Sequence, residues 1–393
     1  MNLFRMAAIA ALALSASAAS AQTVKIGFIT SYSGLNGNLG PYMERAVRLY
    51  LKQHEKELGG VKVELITRDD TGPNPDKARQ LAQELVVRDK VNLIAGVIFT
   101  PNAMAMAPVV TEAKVPFVIM NAGTSVITTR SPYMVRTSFT LWQSSYPLGQ
   151  WASKRFKTAY SLVSDFGPGH DSEDAFSKGF EEGGGKILGK VRVPLQNPDW
   201  AAYLQRVKDA KPDALKVFIP AGKTATAVMK NFSDLGLDKA GIKLIGPGDI
   251  TTDEELPNMG DVALGVLTVH HYSAAATRPE NKAFVDAWKK EYGANETPNF
   301  VAAGAYDGAA IIVEAIKQQK GKIDPDRTME IFKAWKNPRS PRGPISIDPE
   351  TRDIVQNEYL REVRRVGGQL ANVELETVGI AVKDPWKELQ KKK

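Results

Sequence analysis

The most chemically suggestive run in the chain is Lys216 to Met229, KVFIPAGKTATAVM, an apolar strand-like segment that passes through Gly-Lys-Thr into a helix-like one. A phosphate-cradling loop needs a glycine five residues before Gly222, because the backbone amides of that loop wrap the phosphate. Position 217 is Val217, so the opening residue is missing. The run Phe166 to Ser172, FGPGHDS, sits between a strand and a helix as a dinucleotide fingerprint does, yet it reads GxGxxS with a proline between the glycines. A tight strand-to-helix turn accounts for it. The four histidines are His54, His170, His270 and His271. His54 lies near the apolar face of a helix, and His270 and His271 are neighbours in a strand, expected on opposite faces and so unable to share a metal. Neither HExxH nor GxSxG occurs. The pairs Asp69-Asp70 and Glu254-Glu255 read as solvated faces or caps. No catalytic set, cofactor or metal site is expected.

What remains is a set of polar, glycine-rich loops that follow apolar strand-like runs. They are Thr30 to Gly34 (which includes Ser33), Phe99 to Asn102, Asn121 to Ser125, Asp165 to His170, Ala221 to Thr224 and Gly246 to Ile250. Ligands of open α/β sheets bind at the carboxyl ends of parallel strands. Free amides at the following helix N-termini favour anions there, and Thr100, Thr124 and Ser125 add hydroxyl donors. Such loops suit a binding cleft for a small anion.

The elements that would position these loops alternate along the chain. The runs VKIGFIT, VKVELIT, VNLIAGVI and PFVIM alternate with helical segments such as PDKARQLAQELVVRDK, in which Ala78, Leu81, Ala82, Leu85 and Val86 share one face. Strand and helix in this order mean a parallel sheet with helices on both sides. The alternation restarts after about residue 143, with AYSLVSDF, ILGKVRVPL, ALKVFIP, IKLIG and ALGVLTVHHY as strands. There is an internal echo, because VNLIAGVIFTPNAMAM and its continuation share the plan of ALKVFIPAGKTATAVM and its continuation. After Tyr272 the sequence turns helical, and this tail either forms a third unit or returns to cover the first sheet.

Residues 1–21, MNLFRMAAIAALALSASAASA, combine an early Arg5 with an apolar run and a small-residue ending, which reads as a secretory signal peptide. No later stretch is apolar enough to span a membrane. With no cysteine, the chain has no disulfide, lipid-anchored thiol or thiolate metal site. The net charge of +7 comes without a basic stripe interleaved with aromatics, so it steers anionic solutes mildly and does not point to nucleic acid.

The opening VKIGFITSYSGLNGNLGPYMERAVRLYLKQ, the segment VNLIAGVIFTPNAMAMAPVVTEAKVPFVIMNAGTS, the YMVRTSFTLWQ transition and the later KLIGPGD resemble the leucine/isoleucine/valine-binding family of type I periplasmic solute-binding proteins. The resemblance implies an α/β fold of two doubly wound parallel-sheet lobes, joined by a hinge of three crossings, with ligand trapped between them and delivered to a membrane ABC permease. It divides the chain into 22–141 plus 273–345 and 142–272 plus 346–393. It further implies a monomeric periplasmic protein with no direct membrane anchor, no cofactor and no catalysis.

Carried over residue by residue, the resemblance places a ligand carboxylate on Phe99, Thr100, Gly123, Thr124 and Ser125. Asp165 to His170, Gly222 with Lys223, and Gly248 are its second-lobe counterparts, with Tyr272 completing the site. Lys223 is either a cleft residue that meets the ligand on closure or a solvated lysine. Amino-acid binders of the family carry an acid in a GPEG-like turn to pair the ligand ammonium, and here the place is Gly248, with Asp249 one residue on. A first-lobe tyrosine of those binders is replaced by Leu39. A buried ammonium without a carboxylate is costly. The SYSG and DFGPGHD turns resemble the branch that binds aromatic acids of benzoate or hydroxycinnamate type, for which Tyr32, Phe99, Trp142, Tyr146 and Tyr272 are candidate walls. The branched-chain amino-acid reading stays open through Asp249.

Overall fold

Strand alternation sorts the apolar residues of the first sheet onto two faces. Val24, Ile26 and Phe28 enter one core while Ile29 enters another, so helices must cover both sides. The computed structural model describes residues 22–391, and residues 1–21, read above as a signal peptide, lie outside them. In chain order the first half runs β1 (Thr23–Thr30), α1 (Leu39–Gln53), β2 (Lys62–Asp69), α2 (Pro75–Val87), β3 (Leu93–Gly96), α3 (Thr100–Glu112), β4 (Phe117–Ile119) and β5 (Met134–Arg136). The second continues through α4 (Leu141–Ser153), β6 (Thr158–Ser164), α5 (Gly167–Glu182), β7 (Lys186–Val193), α6 (Trp200–Ala210), β8 (Ala214–Phe218), α7 (Lys223–Asp234), β9 (Lys243–Pro247), α8 (Leu256–Met259) and β10 (Leu267–His270). The tail holds α9 (Pro279–Tyr292), α10 (Phe300–Gln318), α11 (Pro325–Ala334), β11 (Lys336–Asn337), β12 (Ile345–Ile347), β13 (Ile354–Val366), β14 (Gln369–Val382) and α12 (Pro385–Gln390).

Helix starts follow their capping residues. Asn74 accepts from the Lys77 amide with Pro75 behind it, Asp199 accepts from the Ala202 amide, and Thr140 with Gln143 forms a reciprocal capping box at α4.

The first sheet has the order β2-β1-β3-β4-β5, all parallel. The parallel part of the second has β7-β6-β8-β9-β10, the same winding repeated, and continues into antiparallel β13 and β14. β3 and β8 are therefore the third strands of equivalent windings, which explains the internal echo. In each sheet the order reverses beside the first strand, and the crevice at that reversal is where ligands of such sheets sit.

Of the two readings of the helical tail, the structure takes the second. Phe284, Trp288, the buried face of α10, Met329 and Phe332 all pack in one core with Val24, Ile26 and Phe28. The chain crosses between the sheets after β5, after β10 and along β13, whose Ile354 belongs to the first core while Leu360 and Val363 belong to cores of the second sheet. β12 is hydrogen-bonded to β13, although its Ile345 and Ile347 side chains pack into the first core.

These crossings are irregular, so their carbonyls need donors from elsewhere. Fully buried Arg342 supplies them. It donates to the Thr137 and Ser138 carbonyls, to Gln356 at 2.8 Å, and through Nε to Asp307 of α10 at 2.8 Å. Removing one partner of such a pair leaves a buried charge uncompensated. Asp307→Ala is expected to lose about 3–5 kcal/mol of unfolding free energy, read by chemical denaturation; a loss no greater than that of an exposed ion pair would show that Arg342 does not depend on its carboxylate.

Candidate ligand cavity between the lobes

Strand β3 ends in an unusual turn. Gly96 has φ +109, and a Cβ there would lie 2.3 Å from the Ile29 carbonyl oxygen, so only glycine fits. The next residue, Val97, has φ +64, a costly conformation for a β-branched side chain. Its amide donates to Ile29 and its carbonyl accepts from Ala122, which holds the turn and sends Ile98, Phe99 and Thr100 across the sheet edge. The matching turn after β4 presents Asn121 and Gly123.

These residues form one wall of a narrow, partly open cavity with a volume of about 30 Å³. Asn36, Leu39, Phe139, Leu141 and Phe300 join them, and Phe166, Pro168, Phe218, Pro220, Ala221 and Asp249 close it from the second sheet. Phe166 and Phe218 stack at 6.1 Å, while Phe139 and Phe300 meet edge to face at 5.7 Å. The walls are thus mainly aromatic, with few polar groups.

The polar groups gather at one end. Thr100 and Thr124 share a hydroxyl hydrogen bond of 2.8 Å. A Cβ on Gly167, at the N-terminus of α5, would stand 3.0 Å from the Thr124 hydroxyl, so this helix start from the second sheet abuts the pair. Among the described residues, the Gly123 and Thr124 amides donate to no protein acceptor. Two open amides, a threonine pair and two helix N-termini make a neutral anion site. At the other side Asp249 is buried, its Oδ2 has no partner among the described residues, and burial pushes its carboxyl up to about 7.

Of the residues the sequence singled out, Phe99, Thr100, Gly123 and Asp249 line this cavity, and Thr124 braces Thr100. The others stand elsewhere. Ser125 gives its amide to Asp171 of α5 at 2.7 Å and its hydroxyl to Asp384 at 3.1 Å, so its donors serve lobe contacts. Asp171 is itself pushed up to about 6 by burial. Ser33 bonds Asp69 on the surface, and Asp165 and His170 pair with each other at 2.7 Å in solvent. Lys223 is exposed and lines a separate groove with Leu35, Asn74 and Trp200.

Gly248 sits against His270 and Arg361, and Tyr272 packs on Phe284 in the first core with its ring fully buried. Of the suggested aromatic walls only Phe99 is in the cavity: Tyr32 bonds Glu44, Tyr146 bonds Glu182, and Trp142 lies in a groove with Trp386. The expectation for the adjacent histidines fails as well. β10 ends at His270, the alternation stops there, and the two rings lie 4.2 Å apart, held neutral by burial against Phe139.

Sequence reasoning missed Phe139, Phe166, Phe218 and Phe300. Phe166 and Phe218 end or directly follow parallel strands, a signal that was available. Phe139 and Phe300 are brought in by the crossings from positions with no local signature.

The chain matches the family described as periplasmic binding protein over residues 23–369. A solute binding protein of an ABC transporter from Rhodopseudomonas palustris BisB5, in complex with 3,4-dihydroxy benzoic acid, superposes with a TM-score of 0.89 at 51% identity, covering 93% of this chain and 99% of that one. Another from R. palustris, in complex with 4-hydroxybenzoate, has a TM-score of 0.89 at 43% identity, covering 94% and 100%. A Leu/Ile/Val-binding protein homolog 6 from Brucella melitensis biotype 1 is 42% identical, over 96% of this chain and 97% of its own length. With a family match across most of its length and relatives of this identity, the chain belongs to the periplasmic binding protein family.

Proposed function

We propose that this chain is the periplasmic solute-binding component of an ABC importer, captures an aromatic carboxylate by hinge closure and delivers it to a membrane permease. In this reading residues 1–21 are removed on export and the mature protein acts as a monomer. Its lobes, 22–141 with 273–345 and 142–272 with 346–393, move about the crossings. No helix among the described residues is long and apolar enough to cross a membrane.

The observation that carries the reading is the cavity between the sheets, walled by five phenylalanines and furnished at one end with unpaired amides and the Thr100 hydroxyl. An aromatic acid presents one apolar ring and one anionic end. Burying the ring against the phenylalanine walls supplies the hydrophobic term, and charge-assisted hydrogen bonds fix the carboxylate. The relatives solved with hydroxybenzoates share the whole length of the fold with this chain, which supports the same ligand class here.

The amino-acid reading meets a steric obstacle. At Gly248, where the resemblance puts the partner of a ligand ammonium, a Cβ would lie 2.1 Å from the His270 ring and 2.3 Å from an Arg361 nitrogen. The place is filled by a buried cation, which repels an ammonium. Gly248→Ala is expected to lose about 1–3 kcal/mol of unfolding free energy through overpacking, measured by denaturant titration; an unchanged midpoint would mean that His270 and Arg361 yield and the site can hold a side chain.

The function is tested by thermal shift and calorimetry on the mature protein with benzoate, 4-hydroxybenzoate and leucine. The aromatic acids are expected to raise the melting temperature and leucine to leave it unchanged. Stabilisation by leucine alone, or turnover of any bound compound, would overturn the assignment. Thr100→Val removes a hydrogen bond to the carboxylate and is expected to weaken aromatic-acid binding at least about tenfold. Unaltered affinity would move the anion site elsewhere.

A further inference from the structure

We propose that Asp249 is the specificity-determining group of the cavity and selects aromatic acids that carry a ring hydroxyl opposite the carboxylate, by accepting the hydroxyl proton on its unpartnered Oδ2. This rests on the aromatic-carboxylate reading above and goes further by assigning the far end of the ring.

Strand spacing sets the distance between the two ends of the cavity. The anion end lies beside the end of β6, where Gly167 meets Thr124 and Thr100. Asp249 follows β9, and β8 lies between the two strands. Two inter-strand steps separate the ends by about 9–10 Å. A benzoate ring lying along Phe166 and Phe218 spans most of this, and a hydroxyl at its far carbon lacks only one hydrogen-bond length, about 2.7 Å, from the carboxyl. Unsubstituted benzoate leaves that length empty.

Asp249 itself offers an unsatisfied acceptor. It lines the cavity, its residue is 6% exposed, and Oδ2 has no hydrogen-bond partner among the described residues. His270 Nε2 is the nearest basic atom to it, at 3.9 Å, too far to bond. A buried carboxyl oxygen without a partner is a costly feature unless a ligand atom completes it. An oxygen-bound proton of the ligand does so, whereas a ligand ammonium would also face the Arg361 guanidinium.

The charged and titratable groups around it come from several elements. His270 stands on β10 and is held neutral by burial, Lys216 of β8 is buried with its charge disfavoured, and Arg361 of β13 is a fixed cation. Lys223 of α7 is exposed and lines the separate groove.

The sign of the pH dependence follows. In the free protein burial keeps the Asp249 carboxyl at about 7. Accepting a hydroxyl proton favours the ionised form, so this carboxyl lies lower in the 4-hydroxybenzoate complex than in the benzoate complex. The preference for 4-hydroxybenzoate over benzoate should therefore rise with pH as the carboxyl of the benzoate complex loses its proton, and level once it is ionised in both complexes. Both ligands keep their own carboxylates ionised between pH 5.5 and 8, so their ratio isolates the group.

Calorimetry with 4-hydroxybenzoate and benzoate on the parent and on Asp249→Ala tests the proposal. The parent is expected to prefer the hydroxylated ligand at least about tenfold at pH 7.5, and the variant to bring the two within about threefold of each other. Equal affinities in the parent, or a preference that survives in Asp249→Ala, overturns the assignment. Should the variant fail to fold, the parent alone decides: a ratio that stays flat from pH 5.5 to 8 also overturns it. Failure of the parent to bind either acid would count against the aromatic-carboxylate reading instead.

Discussion

Three buried guanidinium groups hold this structure in the arrangement that creates its cavity. Arg136, Arg342 and Arg361 are each essentially inaccessible to solvent. Arg342 joins the crossing after β5 to α10 and to the start of β13, Arg136 joins the Ala122 and Thr124 carbonyls to Asp353, and Arg361 joins β13 to the Tyr272 carbonyl and Thr268. A hinge made of several irregular segments leaves many carbonyls without ladder partners, and one arginine offers five donors in a fixed fork. Three arginines therefore satisfy what strands and helices cannot, and they fix where each chain segment leaves one lobe for the other. Because Arg136 holds the Thr124 carbonyl and Arg361 lies beside Gly248, both ends of the cavity are built on the hinge itself.

The same arginines set the electrostatics without entering the cavity. Among the described residues no lysine or arginine lines it, so a bound anion meets amides, hydroxyls and helix termini in place of a full positive charge. Such donors are held by the backbone and need little reorganisation, and water is excluded by the phenylalanine walls, which strengthens each hydrogen bond. A neutral site of this kind avoids the desolvation cost of burying a second ion, which a salt bridge would carry.

The sequence made the strands, the main helices and the repeated winding legible, because these depend on local periodicity and capping. It also pointed to the loops at the strand ends, since glycine, serine and threonine after an apolar run have a local cause. Within those loops it also marked long polar side chains. Lys223 and Asp165 are exposed and His170 pairs with Asp165 at the surface, so none of the three lines the cavity in this structure. The residues that do wall the cavity from afar, Phe139 and Phe300, depend on where the crossings return, a non-local fact that no window of sequence contains. His270 and His271 show the same limit at short range: the end of β10, set by pairing with β13, decides where alternation stops.

Ser125 is the instructive intermediate case. Its type and position suit an anion site, and its amide does hold a carboxylate, but the carboxylate is Asp171 from the opposing lobe. One turn of chain thus contributes neighbouring donors to two purposes, with Gly123 and Thr124 left open while Ser125 fastens the lobes. The division has an energetic reason. Closing the lobes without ligand leaves the Gly123 and Thr124 amides buried and unpaired, which opposes closure, whereas the Asp171 contact favours it. Closure is then poised rather than fixed, and a ligand carboxylate that pairs the open amides supplies the difference in free energy between the two states. A ligand lacking an anionic end leaves those amides unpaired and forgoes this part of the difference. Under the proposed function, the unpaired amides at the end of β4 thus contribute both to carboxylate selectivity and to the coupling of binding to closure.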